Sequence, residues 1–346
     1  MYPKLIIDLK KLEHNTRLIV SKYDFPIMGV TKAFCAIPEV VEAMIKGGIG
    51  YIADSRVENL MKIKTTLPKV LLRLPMISQL DLVVSEVDMV LVSELETIVK
   101  MNDSAVKINK VMKIILMFDL GDLREGIWYK NDKSFVKDIL KLTNIDLFGI
   151  GANLTCFGGI IPTDKHTEML KNIKDELTSM GADIRMVSGG NSSSLHLKNF
   201  GVINNLRVGE AILLARETAF AKSIVEMYDD CFVLEAEVVE AGIKPSLPIG
   251  DVGVDAFGNV PSFIDRGPIE RAILAIGKQD LHIDSIVFDG KVLGASSDHL
   301  MIEGKYKVGD IVRFKLGYGG LLSTATSPYV KKEVRGWLTF IQKLDA

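Results

Sequence analysis

One lysine stands where its surroundings disfavour a charge. In FPIMGVTKAFCAI, residues 25–37, an apolar run from Pro26 to Val30 stops at Thr31 and Lys32, and small and apolar residues follow. Burying an ammonium is costly, so such a lysine either snorkels to the surface or is held for its chemistry. A second stretch, SGGNSSS at 188–194, places two glycines before Asn191 and Ser192. The glycines free the backbone for close approach, and the hydroxyls and main-chain N–H groups can cradle an anion. NLRVGEA follows at 205–211, with Arg207, Gly209 and Glu210. Asp119 and Arg124 lie in FDLGDLREG, and Asn153 ends DLFGIGAN. Each has a plain reading of its own: a snorkelling lysine, a polar turn, a surface ion pair for Arg207. Together, a phosphate cradle and a half-buried lysine suit pyridoxal 5'-phosphate (PLP), held on the lysine nitrogen.

Such residues need a scaffold that brings them to one place. Eight short apolar or β-branched runs, at 26–30, 48–54, 69–75, 88–94, 113–120, 146–153, 183–190 and 205–213, alternate with stretches such as IPEVVEAMIKGG and DKHTEMLKNIKDELTSMG. The latter carry apolar residues three and four apart and finish in glycine, as helices do. Strands that are apolar throughout and alternate with helices belong to a covered parallel sheet. The pattern predicts an α/β fold, a (β/α)8 TIM barrel, with a doubly wound open sheet as the alternative. In such a barrel the loops after the strands carry the chemistry, and those after strands seven and eight bind phosphate. The residues singled out above all fall on that rim.

Beyond residue 222 the texture changes to short alternating runs broken by Gly, Pro, Asp and Asn, as in KVLGASSDHLMIEG and DIVRFKLGYGG. This predicts a barrel over 10–222 and a C-terminal all-β domain over 223–346, joined by an N-terminal strand within 1–9. The 346 residues suffice for two cores, and a net charge of −2 leaves no footprint for nucleic acid or an anionic membrane surface. No run approaches a membrane span and the N-terminus is no signal peptide. Three cysteines, far apart, form neither a disulfide framework nor a zinc site. A cytoplasmic protein that uses no metal is expected.

With these residues in view the chain resembles, over nearly its whole length, the alanine-racemase-like family of fold type III PLP enzymes. MYPK, ADSR, DLGDLREG, NLTC, VSGGNSSS, NLRVGE, RETA, GVDAFGN and LGASSDHL carry a closer likeness to its racemases of ornithine and related amino acids. The resemblance implies a PLP-dependent isomerase that interconverts L- and D-ornithine, or a similar basic amino acid, by removing and returning the Cα proton. Lys32 in TKAFC matches the family's PLP lysine and implied base, and Arg124 in DLGDLREG matches the arginine near the cofactor and the substrate carboxylate. Asn153 replaces the usual histidine after strand six and is expected to bind the cofactor. Asn191, Ser192, Arg207, Gly209 and Glu210 fall on the cofactor-binding positions. SSDH matches a segment that reaches a partner subunit's site, which implies substrate-binding roles for Ser297 and Asp298 and a homodimer with shared active sites. Arg207 beside the pyridine nitrogen would leave that nitrogen unprotonated, because a guanidinium keeps its proton at ordinary pH. That favours reprotonation at Cα over transamination.

The pattern breaks at two tyrosines. Lys278, in GKQDL, stands where the family's second proton carrier is a tyrosine, and Ala36 stands four residues beyond Lys32 where another is usual. Tyr318, Lys278, Cys156 and His299 remain candidates for the second base, and Asp255 and Asp280 for a partner to a distal ammonium. Loss of a phenol would widen the pocket toward a substrate such as ornithine. Two other readings share the barrel: a PLP lyase of the D-threonine aldolase or D-serine dehydratase kind, and a non-catalytic PLP-homeostasis protein. The large β-domain favours the catalyst.

Overall fold

The computed structural model describes residues 1–336 and divides the chain into two compact units. One runs from Leu9 to Asp229; the other joins Met1–Asp8 to the chain from Asp230 onward.

Strand β1 (Lys4–Asp8) belongs to the second unit, and helix α1 (Leu9–Ser21) opens the first. There, β2 (Ile27–Val30), β3 (Tyr51–Asp54), β4 (Lys69–Leu71), β5 (Met89–Val92) and β6 (Met112–Asp119) pair in parallel in that order. The short β7 (Ile127–Trp128) lies on the end of β6, and β8 (Ile145–Ala152), β9 (Met186–Ser188) and β10 (Leu206–Val208) continue the sheet. β10 pairs with β2, and a parallel bridge between Ser188 and Asn205 joins β9 to β10, so the eight strands without β7 close into a barrel. The open doubly wound sheet is thereby set aside.

The interior is filled, as closure requires. Met28, Val30, Ala53, Val70, Met89, Leu91, Ile115, Met117 and Met186 form one buried cluster drawn from β2–β6 and β9. Helices α2 (Pro38–Lys46), α3 (Val57–Met61), α4 (Leu80–Glu86), α5 (Leu95–Lys107), α6 (Val136–Ile139) and α7 (Asp164–Ser179) separate the strands. They turn inward the apolar stripes that their three- and four-residue spacing anticipates: α2 buries Val40, Val41, Ala43 and Met44. The eighth apolar run is corrected in its second half. It is strand only to Val208; Gly209 breaks it and Glu210–Leu214 forms α8. Gly209 passes close to the neighbouring strand: a Cβ there would lie 3.0 Å from the Cβ of Val30. Two short strands, β11 (Arg216–Glu217) and β12 (Lys222–Ser223), form a hairpin. Residues up to 229 stay with the barrel because Asn15 of α1 donates to the Tyr228 carbonyl at 2.8 Å and accepts from its N–H at 2.9 Å.

The second unit is antiparallel except at one edge. β13 (Phe232–Pro245), β14 (Pro268–Leu274), β15 (Ile286–Val287), β16 (Lys291–Ala295), β17 (Leu300–Glu303) and β18 (Ile311–Leu316) order as β15-β18-β13-β14-β17-β16. β1 pairs antiparallel with β13 and parallel with β19 (Lys331–Arg335), so the N-terminal strand joins this sheet as its sequence position suggests. Helix α9 (Tyr318–Thr326) packs on the same unit.

Candidate active site

Because the barrel strands run in parallel, their C-terminal ends share one rim, and the polar residues gather there. Lys32 follows β2 in a 3-10 turn, Lys32–Phe34, and is half-buried. Cys35 and Ala36 close the turn with φ of 54° and 52°, two successive left-handed residues with side chains. Such strain persists only where the surroundings enforce it. Asp54, at the end of β3, supplies part of that enforcement. It is fully buried and accepts from the Thr31 hydroxyl at 2.6 Å, the Arg56 N–H at 2.9 Å and the Asn59 amide at 3.1 Å. Lys62 donates to Asn59 at 3.0 Å and to the Cys35 carbonyl at 3.4 Å, so both ends of the Lys32 turn are tied to α3 and the chain just beyond it. Burial pushes the Asp54 carboxyl up, while the three hydrogen bonds and the charge of Lys32 oppose the rise.

Arg207 forms the second focus. It points from β10 into a fully covered position and donates through Nη1 to the Ser188 carbonyl at 2.8 Å and hydroxyl at 2.6 Å. Its Nη2 donates to the Ala152 carbonyl at 2.6 Å and lies 3.5 Å from Asn153 Oδ1. The Ser188 hydroxyl donates to Asn205 Oδ1 at 2.6 Å, and Asn205 donates to the Pro26 carbonyl at 2.9 Å. This chain of bonds spans the seam where the barrel closes. Burial pushes the guanidinium down to about 10; Glu125 and Cys156 counter the fall and Arg124 adds to it. It remains charged at neutral pH.

Asn191 links the loops beside it. Its amide donates to Asn153 Oδ1 at 2.8 Å and to the Leu154 carbonyl at 3.1 Å, and lies 3.5 Å from the exposed Cys156 thiol. Its Oδ1 accepts from the Ser193 N–H at 2.8 Å, and the Ser192 hydroxyl accepts from the Ala211 N–H in α8 at 3.1 Å. Burial raises the Glu210 carboxyl against the opposing charge of Arg216. One atom in this cradle is orphaned: the hydroxyl oxygen of Ser193 is buried without a hydrogen-bond partner. Buried polar groups are normally satisfied, so an orphan in a Gly–Gly–Asn–Ser turn fits a site shaped for a bound anion.

Arg124 lies in the loop after β6. Asp119 shapes that loop by accepting from the N–H groups of Gly121 at 2.8 Å and Leu123 at 3.2 Å. Gly126 is obligatory: φ is 122°, and a Cβ would stand 2.5 Å from the Asp119 nitrogen. Asp122 accepts from the N–H groups of Phe157 and Gly158, both at 3.0 Å, tying this loop to the one after β8. Arg124 itself pairs with its neighbour Glu125, Nη2 to Oε1 at 2.6 Å, with a second contact through Nε.

The remaining candidates lie in the other unit. Ser297 and Asp298 sit on an exposed turn, where Asp298 accepts from the hydroxyls of Ser296 and Ser297, each at 3.1 Å, with His299 3.4 Å away. Lys278 stands 3.7 Å over the Phe257 ring, and Asp255 closes its own turn by accepting from the N–H groups of Phe257 and Asn259. Asp280 accepts from the Ser327 hydroxyl at 2.6 Å, and Tyr318 begins α9. Among the described residues no group of three or more His, Cys, Asp or Glu side chains is placed to hold a metal ion, and no helix is long and apolar enough to cross a membrane.

Sequence reading did not single out Asp54, Asn205, Asp122 or Glu125, and took the Ser188 and Ser193 hydroxyls only as part of SGGNSSS. A carboxylate ending the apolar run GIGYIAD was a usable signal for Asp54; Asn205 carried none, because its role depends on barrel closure.

The family model of the alanine racemase N-terminal domain matches residues 7–217. The chain belongs to the alanine racemase family. Its relatives extend the likeness beyond that domain. It is 46% identical to the ornithine racemase of Acetoanaerobium sticklandii, covering 96% of this chain and 100% of that one. It is 40% identical to the lysine racemase of Thermotoga maritima, covering 96% and 98%. The solved alanine racemase of Bartonella henselae, described with covalently bound pyridoxal phosphate, shares the fold at a TM-score of 0.75 and 17% identity, over 97% of this chain and 100% of that one.

Proposed function

We propose that this protein is a PLP-dependent racemase of basic amino acids, interconverting the L and D forms of ornithine first and lysine second. The observation that carries the reading is the end-to-end likeness to racemases of those two amino acids, at 46% and 40% identity. The barrel rim supports it with a lysine, a buried arginine and an anion cradle on adjoining strand ends.

PLP, when bound, draws electrons from the substrate's Cα–H bond and so makes that proton removable. The chain's own residues do the rest. Lys32 holds the cofactor and moves the proton at Cα on one face, with the Thr31–Asp54 contact and the Lys62–Cys35 contact fixing its turn. Asn191, Ser192, the unpartnered Ser193 hydroxyl and the backbone at Gly209 and Glu210 hold the phosphate. Arg207, its Nη1 and Nη2 held by Ser188 and Ala152, keeps a fixed positive charge on the floor of the site. Because a guanidinium keeps its proton at ordinary pH, Arg207 would not donate one to the ring nitrogen of a bound cofactor, which would favour return of the proton to Cα over transamination. Arg124 takes the substrate carboxylate, and Asn153 orients Asn191. The working form is a homodimer in which Ser297 and Asp298 of the partner's β-unit complete each site. The second proton carrier is drawn from Tyr318, Lys278, Cys156 and His299. The protein works in the cytoplasm, where its three cysteines, Cys35, Cys156 and Cys231, none of them in a disulfide, stay reduced.

The test is incubation with PLP and L-ornithine in deuterated water, with L-lysine, L-alanine and L-serine alongside, followed by NMR and chiral chromatography. Racemised ornithine carrying deuterium at Cα is expected. Lys32→Ala should lower the rate by about 10²- to 10⁴-fold, as for loss of a positioned base, and borohydride reduction should attach PLP to the Lys32 peptide of the wild type alone. Absence of Cα exchange with every amino acid would overturn the reading.

A further inference from the structure

A racemase of basic amino acids must distinguish ornithine from a neutral chain of the same length, so some carboxylate has to meet the distal ammonium. The carboxylates on the barrel rim differ in how firmly they are held. Asp54 is buried with three donors, Asp119 accepts two backbone N–H groups within its own loop, and Asp122 accepts two more across loops. Withdrawing any of them would break two or three hydrogen bonds that shape the rim, at a cost a small substrate cannot easily offset. In the β-unit, Asp255 and Asp280 are likewise taken up by turn N–H groups and the Ser327 hydroxyl.

Glu125 is different. Its hydrogen-bonded partner is the side chain of Arg124, through both Nη2 and Nε. Its side chain is 19% exposed, mostly covered yet reachable. Its charge also acts on Arg207 on the floor of the site. Glu94, after β5, is an exposed carboxylate on the same rim without that link.

We propose that the Arg124–Glu125 pair stands in for the two charged ends of the substrate. Ornithine exchanges with it: the substrate carboxylate takes Arg124, and the freed Glu125 receives the distal ammonium. One salt bridge is traded for two, and neither charge is left alone. A neutral amino acid frees Glu125 without giving it a partner, so it is disfavoured. Selectivity for a diamino acid is then built into the residue that follows the arginine in DLGDLREG. The proposal deepens the racemase reading and rests on it for Arg124 as the carboxylate's partner.

The test compares ornithine with norvaline, the same chain lacking the ammonium, by calorimetric binding to the PLP-loaded protein and by Cα deuterium exchange. For Glu125→Gln, which keeps shape and removes charge, ornithine affinity should fall on the order of 30- to 100-fold, as for loss of a charge-assisted contact. Norvaline affinity should hold or rise, because Arg124 no longer has a competing anion. A crossing of that kind cannot come from misfolding, which weakens both ligands. Glu94→Gln should leave the ornithine-to-norvaline ratio where it was. Equal losses for both ligands in Glu125→Gln, or a wild type that binds norvaline as tightly as ornithine, would overturn the proposal. Selective ornithine binding without Cα exchange would overturn the racemase reading and leave the recognition role of Glu125 standing.

Discussion

The barrel rim and the turns of the β-unit carry comparable numbers of candidate residues in opposite states. On the rim, Arg207, Ser188, Asn205 and Asp54 are buried, and the bonds of the first three run between segments distant in sequence, while Asp54 ties Thr31 to its own strand end. In the β-unit, Ser297, Asp298 and Asp255 are bonded mainly to their own turns and face outward. A buried polar network rigidifies and is expensive to break; an exposed turn costs little to alter. The rim is therefore the rigid region, and the β-unit turns are exposed surfaces that the proposed dimer would cover.

The comparison can be broken most severely at Arg207. Arg207→Met removes the donors to Ser188 and Ala152 and strands buried carbonyls, so stability should fall by about 3 kcal/mol. Chemical denaturation of the apoprotein reads this directly; an unchanged midpoint would mean the seam is held by apolar packing alone. Loss of racemisation in the same variant would exceed what the stability change explains.

A smaller effect should sharpen the contrast through pH. Burial raises the Asp54 carboxyl in the folded state, so the folded protein binds more protons than the unfolded one above about pH 3.9. Stability should fall as pH climbs from there through the folded value. Asp54→Asn should abolish that fall, giving a flatter profile of denaturation midpoint against pH. Asp298 has the opposite sign, because the Ser297 and Ser296 hydroxyls hold its carboxyl low. Its contribution is present above the unfolded value and is lost as pH drops through the folded one.

The smallest expected effect is at that turn. Asp298→Asn should lower the neutral-pH unfolding midpoint of the apoprotein only slightly, because its two hydroxyl contacts lie on an exposed turn, while activity falls in the assembled enzyme. A large loss of stability would place Asp298 among structural residues and dissolve the contrast between the two regions.

Legibility followed the same division. Periodicity placed the eight barrel strands, because strands covered on both faces must be apolar throughout. It missed the end of the last one, since Leu213 is as apolar as a strand residue but belongs to α8. SGGNSSS was readable as a polar turn whose glycines and hydroxyls could cradle an anion. The orphaned Ser193 hydroxyl was not, because nothing local separates it from Ser192 and Ser194 on either side.

What the sequence determined by itself is what a residue and its near neighbours decide: strand and helix periods, the glycine breaks, and a lysine placed just past a buried strand. What only the tertiary structure decided is which distant groups share a proton or a charge. Thr31 meets Asp54, and Ser188 joins Arg207 to Asn205 and so to Pro26. The reason is physical. Helix and strand periods are set by interactions a few residues long, whereas a hydrogen bond across the barrel seam exists only once closure has brought its two ends within about 3 Å.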